Sequence, residues 1–301
     1  MSEIRDELAH HRPDLLRHCY RMLGSFADAE DLVQDVLVKA WTARASYAGT
    51  APLGHWLMRI ATNACLNELA RRKRRGLPQL ERAAATNADE LAEVEAAHWL
   101  TPAPDAQLET REAVALAFLA LLQRLPPRQR AVLLLKDVVG WSAEDIAATL
   151  ETTVSSVSSA LHRARETIAV PPESPPREPA PDVLHAYIRS WEQRDLDALI
   201  RLLHDDVVFA MPPHAAWFRG PAVGALFRGE RLARFWSLTT RIVPTHANGR
   251  TALAFYAGDG INLARHSLQV VDFAGDRVVQ AVHFIGADYF RGFDLPDTLQ
   301  R

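Results

Sequence analysis

The chain has 301 residues, which is long for one domain and suits two or three, each large enough to bury its own core. It contains no apolar run of membrane-spanning length, and its first residues, MSEIRDELAHHR, lack the pattern of a signal peptide. We therefore expect a cytoplasmic protein without membrane contact. The net charge of -3 excludes a strongly basic chain that binds nucleic acid by its overall charge alone.

Charge is unevenly distributed along the sequence. Residues 1–75 carry 12 basic and 9 acidic side chains, whereas residues 76–125 carry 3 basic and 8 acidic ones. The basic residues concentrate in the run RRKRR at 71–75, where phosphate contacts would be independent of sequence and sensitive to salt. A solvated helix end is the plainer interpretation, since cations favour a helix C-terminus.

The N-terminal part predicts amphipathic helices. Residues 28–41, DAEDLVQDVLVKAW, have an apolar stripe, and their polar face carries Asp31, Gln34 and Asp35. A loop at 46–54 precedes a second helix, which presents Asn63 outward and Trp56 toward the core. Ordinary helix solvation is one explanation of both polar faces.

Cysteine and histidine spacing gives no sign of a metal centre. Cys19 and Cys65 lie in apolar helical patterns, so we expect buried, reduced thiols. His246, His266 and His283 have no metal-ligand spacing. The sequence therefore predicts neither a metal nor another cofactor.

Residues 76–111 are rich in alanine and acidic side chains. Their negative charge repels DNA, and Pro102 and Pro104 limit helix continuity. A flexible or partly helical acidic linker is expected.

Residues 126–166 predict two helices joined by a tight turn. Ser142 followed by Asp145 can cap a helix that begins near Ala143, and Glu151 stands in the turn where glycine is common. The outward face of the second helix carries short donors and a cation, which suit base edges and phosphates in a major groove. These residues are Ser155, Ser156, Ser158, Ser159, His162 and Arg163. An ordinary antiparallel helix pair with a solvated serine face is the alternative.

Two of these segments carry a resemblance to one family. DAEDLVQDVLVKAW at 28–41 and WLMRIATNACLNELARRKRR at 56–75 resemble the second region of bacterial sigma-70-type initiation factors, in particular the extracytoplasmic-function (ECF) group. Residues 125–165 resemble the fourth region of that group, in the expected order. The resemblance implies two all-α domains, at 8–75 and 112–170, joined by the acidic linker.

The resemblance also implies partners and site residues. Asp31, Gln34 and Asp35 would bind the β′ clamp helices of the RNA polymerase core, and the fourth region would bind the β flap. Contacts to the promoter -10 element would come from Tyr47, Asn63, Arg71, Arg72 and Lys73. The serine-rich helix with His162 and Arg163 would contact the -35 element of the double-stranded DNA. In this family the linker threads toward the active cleft of the polymerase.

The C-terminal part changes character after the Pro-rich segment 171–181, which predicts an extended linker. A helix over about 181–203 is followed by five segments that read as strands of a curved antiparallel sheet, with a turn at Gly275-Asp276. This order predicts an α+β domain.

Residues 182–295, with MPPHAAWFRG at 211–220, resemble the SnoaL-like branch of the cone fold shared by nuclear transport factor 2 and ketosteroid isomerase. The resemblance implies a regulatory extension of a sigma factor. Candidate lining residues of a pocket for a small-molecule ligand are Trp191, Met211, Trp217, Tyr256 and His283. We interpret the chain as a sigma factor, without catalytic residues, that directs RNA polymerase core to promoters under the control of this extension.

Two alternatives come from other classes of protein. One is an enzyme with an isomerase-like or hydrolase-like C-terminal domain tethered to DNA-binding helices, and the other is a helix-turn-helix regulator that needs no polymerase. For the enzyme, Asp206 and Asp259 could serve as general bases if buried, although both are more typical of turns, and His283 is more typical of a hydrogen-bonded core.

Overall fold

The structure is a computed structural model that describes residues 7–47, 49, 51–72, 74–87, 99–108, 115–168 and 178–301. It divides into two compact units. The helical unit comprises Met1–Arg75, Ala106–Arg111 and Leu116–Glu173. The cone unit comprises Gly76–Asp105, Glu112–Ala115 and Ser174–Arg301. Among the described helices, none is long and apolar enough to cross a membrane.

Three long helices form the first part of the helical unit. They are α1 (Arg12–Leu23), α2 (Phe26–Ala43) and α3 (Leu53–Arg71). Helix α2 begins before the predicted position, because the Ser25 hydroxyl accepts the Asp28 amide as its N-cap. Cys19 and Cys65 are fully buried and unoxidised between these helices.

The second part of the helical unit contains the predicted helix pair. The short helix α4 (Pro78–Glu81) belongs to the cone unit, and α5 (Asp105–Leu108) follows it in the chain. The next helices are α6 (Leu116–Arg124), α7 (Pro127–Leu133), α8 (Ala143–Thr149) and α9 (Val154–Thr167). A π-helical turn, Leu134–Val138, extends α7. The start of α8 agrees with the prediction, since the Ser142 hydroxyl accepts the Asp145 amide at 3.0 Å.

The turn between α8 and α9 holds Glu151 at a φ of 50°. This left-handed conformation costs an L-residue roughly 1–2 kcal/mol, and glycine adopts it without that cost. We expect Glu151→Gly to raise the free energy of unfolding of the helical unit by about 0.5–1 kcal/mol after glycine's larger entropy loss is counted. Urea unfolding followed by far-ultraviolet circular dichroism measures it. Glu151→Ala keeps the Cβ and should give no gain; an equal gain in both variants would contradict the strain argument.

The cone unit begins with two helices where the sequence predicts one. Helix α10 (Pro181–Gln193) ends at Arg194, whose φ is 61°, and α11 (Leu196–Arg201) begins at Asp195, whose carboxylate accepts the Ala198 amide at 2.9 Å. The single helix over 181–203 is therefore wrong. A capping aspartate and a residue in the left-handed conformation break it.

The strands follow in one seven-stranded sheet. They are β1 (Leu203–Ala210), β2 (Trp217–Arg219), β3 (Thr239–Ala247), β4 (Arg250–Gly258), β5 (Asn262–Ala274), β6 (Arg277–Ile285) and β7 (Thr298–Gln300). Helices α12 (Pro221–Arg228) and α13 (Ala233–Ser237) lie between β2 and β3. The strand order is β2-β1-β6-β5-β4-β3, with β7 paired to β5.

The sheet is mixed, because β1 and β6 pair in parallel while the other neighbours are antiparallel. The expectation of a wholly antiparallel sheet is corrected at this one pair. Strands β2 and β7 have three residues each, which is too few for an alternation of apolar and polar residues to predict them. The turn predicted at Gly275-Asp276 lies between β5 and β6, with Gly275 at a φ of 63°.

Candidate nucleic-acid interface

One face of α2 is polar and exposed. Asp31, Gln34 and Asp35 all lie on it, and Val38 extends it by one turn with 65% of its surface exposed. Positions separated by three and four residues share one face of a helix. Sequence reasoning missed Val38, although a valine outside the buried stripe of an amphipathic helix was the available signal. The face offers carboxylates around an apolar side chain, a composition suited to a protein partner.

Helix α3 carries a second exposed stripe. Arg59, Asn63, Asn67 and Arg71 recur every four residues and are all exposed. At 1.5 Å per residue the stripe spans about 18 Å, the length of roughly five stacked nucleotides. It offers amide and guanidinium donors along one line, which suits a nucleic-acid strand.

An aromatic pair lies next to the start of α3. The rings of Tyr47 and Trp56 are 5.2 Å apart and tilted by 37°. Both side chains are half-buried, so Trp56 is less enclosed than its predicted core position implies. Exposed ring faces can stack on unpaired bases.

The basic run at the end of α3 is only partly available for phosphates. Arg72 forms ion pairs with Asp28 and Glu68, and Arg75, 9% exposed, also pairs with Asp28. Lys73 lies outside the described residues. Arg71 is exposed, so the phosphate contact expected of this run is better placed on Arg71 than on Arg72.

All six predicted side chains of α9 are exposed. Two of the serines have partners within the helix: Ser156 accepts the Thr153 hydroxyl at 2.9 Å, and Ser158 donates to the Val154 carbonyl at 3.1 Å. Ser155, Ser159 and Arg163 therefore offer the most accessible donors, while His162 lies 3.4 Å from Glu166. Arg165 forms a two-bonded ion pair with Asp137, at 2.6 and 3.0 Å.

The interior of the cone unit is filled by aromatic rings. Trp191 contacts four aromatic rings of neighbouring elements, those of Phe227, Phe235, Trp236 and Phe255, and the His283 ring stacks 5.9 Å away. Met211 is buried in the same cluster. Trp191, Met211 and His283 of the predicted pocket thus share the interior of the cone.

The other two predicted pocket residues lie elsewhere. The Tyr256 hydroxyl donates to the Pro296 carbonyl at 2.7 Å, and its ring packs on Phe290. Trp217 is half-buried and donates to the Arg82 carbonyl at 2.8 Å. Asp206 and Asp259 are both exposed, so neither meets the condition of burial that a role as general base required.

His283 belongs to a buried hydrogen-bond chain. Its Nε2 lies 2.7 Å from the Ser267 hydroxyl, and its Nδ1 lies 3.1 Å from the Gln269 side-chain nitrogen. The Gln269 side-chain oxygen accepts a hydrogen bond from the Tyr187 hydroxyl at 3.0 Å. Burial, aided by nearby His266, lowers the pKa of His283 to about 3. A neutral, fully partnered ring fits the core interpretation. Among the described residues no cluster has the composition of a metal site.

The lowered pKa predicts an acid-sensitive cone unit. The unfolded chain takes up a proton on His283 below pH 6.5, whereas the folded chain resists until about pH 3. Stability is therefore complete above pH 6.5 and falls on acidification by about 1.4 kcal/mol per pH unit, or about 2 kcal/mol at pH 5. Urea unfolding followed by tryptophan fluorescence at pH 7 and pH 5 measures the loss.

The control for this prediction is His283→Gln, which keeps hydrogen-bonding capacity without titrating. Burial also lowers the pKa of His18 in the helical unit, to about 4, so some acid loss should remain in the variant. An acid loss of the same size in the wild type and the variant would exclude His283 as its source.

The linker packs on the cone unit. Leu77, Leu100 and Ala103 are fully buried, and the Trp99 indole donates to the Pro213 carbonyl at 2.9 Å. In the segment 76–87, the Ala85 amide donates to the Trp217 carbonyl at 2.7 Å. The described parts of the linker, 76–87 and 99–105, are thus ordered against the C-terminal domain rather than extended as a spacer.

Asn248 is central to this docking. Its side-chain oxygen accepts a hydrogen bond from the Ala103 backbone N–H at 2.9 Å. Its backbone N–H donates to the Ala103 carbonyl at 3.1 Å. The next residue, Gly249, donates to the Asp105 carboxylate at 2.9 Å. Asn248 and Gly249 form the β3–β4 turn with φ values of 54° and 69°. Sequence reasoning missed this contact; the apolar pair Trp99-Leu100 inside an acidic segment was the available signal.

The comparisons with known proteins match this architecture. Family models match at residues 8–75 (Sigma-70 region 2), 115–168 (Sigma-70, region 4) and 184–291 (SnoaL-like domain). The ECF RNA polymerase sigma factor SigG of Mycobacterium tuberculosis is 40% identical over 306 residues, which cover 96% of this chain and 83% of that protein. The chain belongs to the ECF RNA polymerase sigma factors.

One further relative agrees with this ECF assignment, and one solved structure shares the fold. The probable ECF sigma factor SigI of M. tuberculosis is 30% identical over 230 residues, covering 75% of each chain. The crystal structure of the M. tuberculosis ECF sigma factor SigJ has the same fold, with a TM-score of 0.60 at 21% identity over 97% of this chain and all of that one. The predicted order of two all-α domains and an α+β SnoaL-like domain is confirmed, and the family is one of transcription factors.

Proposed function

We propose that this ECF sigma factor recruits RNA polymerase core to promoters through the exposed faces of α2, α3 and α9, and that its cone unit restrains it by holding the linker. The observation that carries the restraint is the burial of Trp99, Leu100 and Ala103 on the cone unit. As a sigma factor the chain would act in the cytoplasm with the polymerase, and the proposal assigns no catalytic activity to its SnoaL-like domain.

The three faces have separate tasks in this proposal. The α2 face, with Asp31, Gln34, Asp35 and Val38, binds the clamp helices of the core. The α3 stripe from Arg59 to Arg71 follows a strand of the -10 element, and the Tyr47–Trp56 pair stacks on its unpaired bases. Helix α9 enters the major groove at the -35 element through Ser155, Ser159 and Arg163.

Helix α9 has few side chains long enough to read base edges directly. Only Arg163 and His162 are long side chains on its reading face, and His162 is beside Glu166. Contacts to phosphates and to DNA shape therefore carry much of the -35 preference. A low affinity of α9 for DNA suits a subunit that acts on DNA together with the polymerase.

The linker connects regulation to initiation. In the resembled family the connector threads toward the active cleft of the polymerase, and a connector folded onto the cone unit cannot do so. Undocking exposes Trp99 and Leu100 and breaks the two hydrogen bonds between Asn248 and Ala103, so the docked state opposes polymerase engagement. A ligand of the cone unit would regulate transcription by changing this docking equilibrium.

Run-off transcription with purified core tests the proposal. Promoter-specific transcript should require this chain, and Asn63→Ala together with Arg71→Ala should reduce it about 10-fold or more, because strand contacts are lost while core binding is kept. Asn262→Ala with Arg277→Ala, at exposed positions of the cone unit, is the matched control. No chain-dependent transcript on any tested promoter would refute the sigma function for this chain.

A further inference from the structure

A cleft lies between the linker and helix α12 of the cone unit, and we call it the linker cleft. Its volume is about 600 Å³, which is within the range of sites that hold small molecules. Thr86 and Asn87 belong to the linker, and the rest of the lining comes from β2, α12 and the turn after α12. The five residues of the predicted pocket, all of them in the described part of the chain, do not line it. The linker cleft is therefore a separate site.

Strand β2 holds the linker side of the cleft in place. The Trp217 indole N–H donates to the Arg82 carbonyl at 2.8 Å, and the Ala85 backbone N–H donates to the Trp217 carbonyl at 2.7 Å. Ala85 is 4% exposed and packs in the apolar core of the cone unit. Thr86 and Asn87 come directly after it, so they line the cleft only while this segment stays docked. The complete site therefore exists in the docked state alone.

The lining combines apolar surface with a carboxylate. Phe218, Ala225 and Leu226 offer apolar contacts. Glu230 is exposed, and within the described ranges its carboxylate has no hydrogen-bond or ion-pair partner. Arg231, the other charged residue of the lining, already takes part in an interaction of its own. A ligand with a cation on an apolar body fits this lining, because the cation pairs with Glu230 while the body covers the apolar surface.

We propose that the linker cleft is a regulatory site for an amphipathic amine, and that the bound amine keeps the linker docked and so lowers transcription. This inference rests on the proposed restraint by the linker. A ligand that contacts the linker and α12 together has a higher affinity for the docked state than for the undocked one. It shifts the equilibrium toward docking by that difference in affinity, so the ligand is an inhibitor.

Binding of dansylcadaverine to the full-length chain tests the site. This probe has a primary amine on an apolar, fluorescent ring system, and dansylamide has the same ring system without the amine. We expect saturable binding of dansylcadaverine and weaker binding of dansylamide. Glu230→Gln should weaken the binding of the amine about 2–5-fold and leave dansylamide unchanged, because an exposed ion pair contributes little. Asp182→Asn, which removes a charge at an exposed position of α10, is the control.

A variant that fills the cleft locates the bound probe. Ala225→Phe should weaken binding of both probes by at least about 10-fold, because the added ring occupies the apolar part of the lining. Ala233→Phe, at an exposed position of α13, is its control and should bind as the parent does. Absence of binding to the parent, equal affinity for the two probes, or full binding to folded Ala225→Phe would overturn the proposal.

Hydrogen exchange of the Ala85 amide measures the coupling to docking, since this amide exchanges when its bond to the Trp217 carbonyl opens. At ten times its dissociation constant, dansylcadaverine should slow that exchange about 10-fold. Ala85→Pro lacks the donor, so it should undock this segment and weaken probe binding, as linkage requires. Binding without slower exchange, or unchanged binding to Ala85→Pro, would overturn the coupling.

Run-off transcription separates this inference from the proposed restraint. With saturating dansylcadaverine, we expect promoter-dependent transcript to fall about 3–10-fold, as the undocked fraction does. Neither probe binding nor hydrogen exchange requires the polymerase. Slower exchange of the Ala85 amide with unchanged transcript would therefore support the site and refute the restraint by the linker.

Discussion

Replacing Asp31 and Asp35 together by lysine should weaken binding to RNA polymerase core by at least about 10-fold, or about 1.4 kcal/mol, and reduce run-off transcription in step. Both carboxylates are exposed on one face of α2, so the reversal changes the potential of that face while leaving the buried stripe intact. Titration of labelled core with the variant measures the dissociation constant.

The control for this reversal is Asp205→Lys with Asp206→Lys, which makes the same change of charge at exposed positions of β1. It should bind core as the parent does. A similar loss in both double variants would indicate a general effect of net charge, and no loss in the α2 variant would remove this face from the interface.

Releasing the linker should raise promoter-dependent transcription several-fold when the chain is limiting. Trp99→Ala removes a buried indole, a change that costs about 3–5 kcal/mol and therefore shifts the docking equilibrium more than 100-fold. Asn248→Gly removes the acceptor of the Ala103 amide and tolerates the positive φ. The double variant is measured by run-off transcription and by the rate of proteolysis in 76–105.

Trp99→Phe is the graded control, because it keeps an aromatic ring but loses the bond to the Pro213 carbonyl. Its output should lie between that of the parent and that of the double variant. Faster cleavage of the linker without any rise in transcript would separate docking from activity and contradict the proposed restraint.

Local signals predicted the helical unit well. Ser142 and Asp145 predicted the start of α8. The apolar stripe of 28–41 predicted that Asp31, Gln34 and Asp35 lie on the exposed face of α2. Pairings between distant residues were not predictable in this way. Arg72 is drawn to Asp28, 44 positions earlier, and no periodicity in either helix encodes that ion pair.

In the cone unit, too, local features were predictable and pairings between distant residues were not. Its main strands follow from β-branched and aromatic runs, but the left-handed Arg194 that splits the first helix has no local marker of the kind glycine provides. The docked linker depends on residues 145 positions apart, Ala103 and Asn248, which only the folded chain brings together. The exposure of the candidate residues of α2 and α9 was therefore predictable residue by residue, and the docking of the linker was not.

The docking of the linker also sets an order of events during synthesis. The last residue of α9 is Thr167, and the strands that receive Ala103 lie among the final third of the chain. At 5–20 residues per second, the ribosome needs roughly 4 to 16 s to reach Asn248 after that helix. During this interval a nascent chain has the helices that we propose to contact DNA but not the surface that binds its linker. Under the proposed restraint, each newly made molecule passes once through an unrestrained state before its cone unit folds and binds the linker.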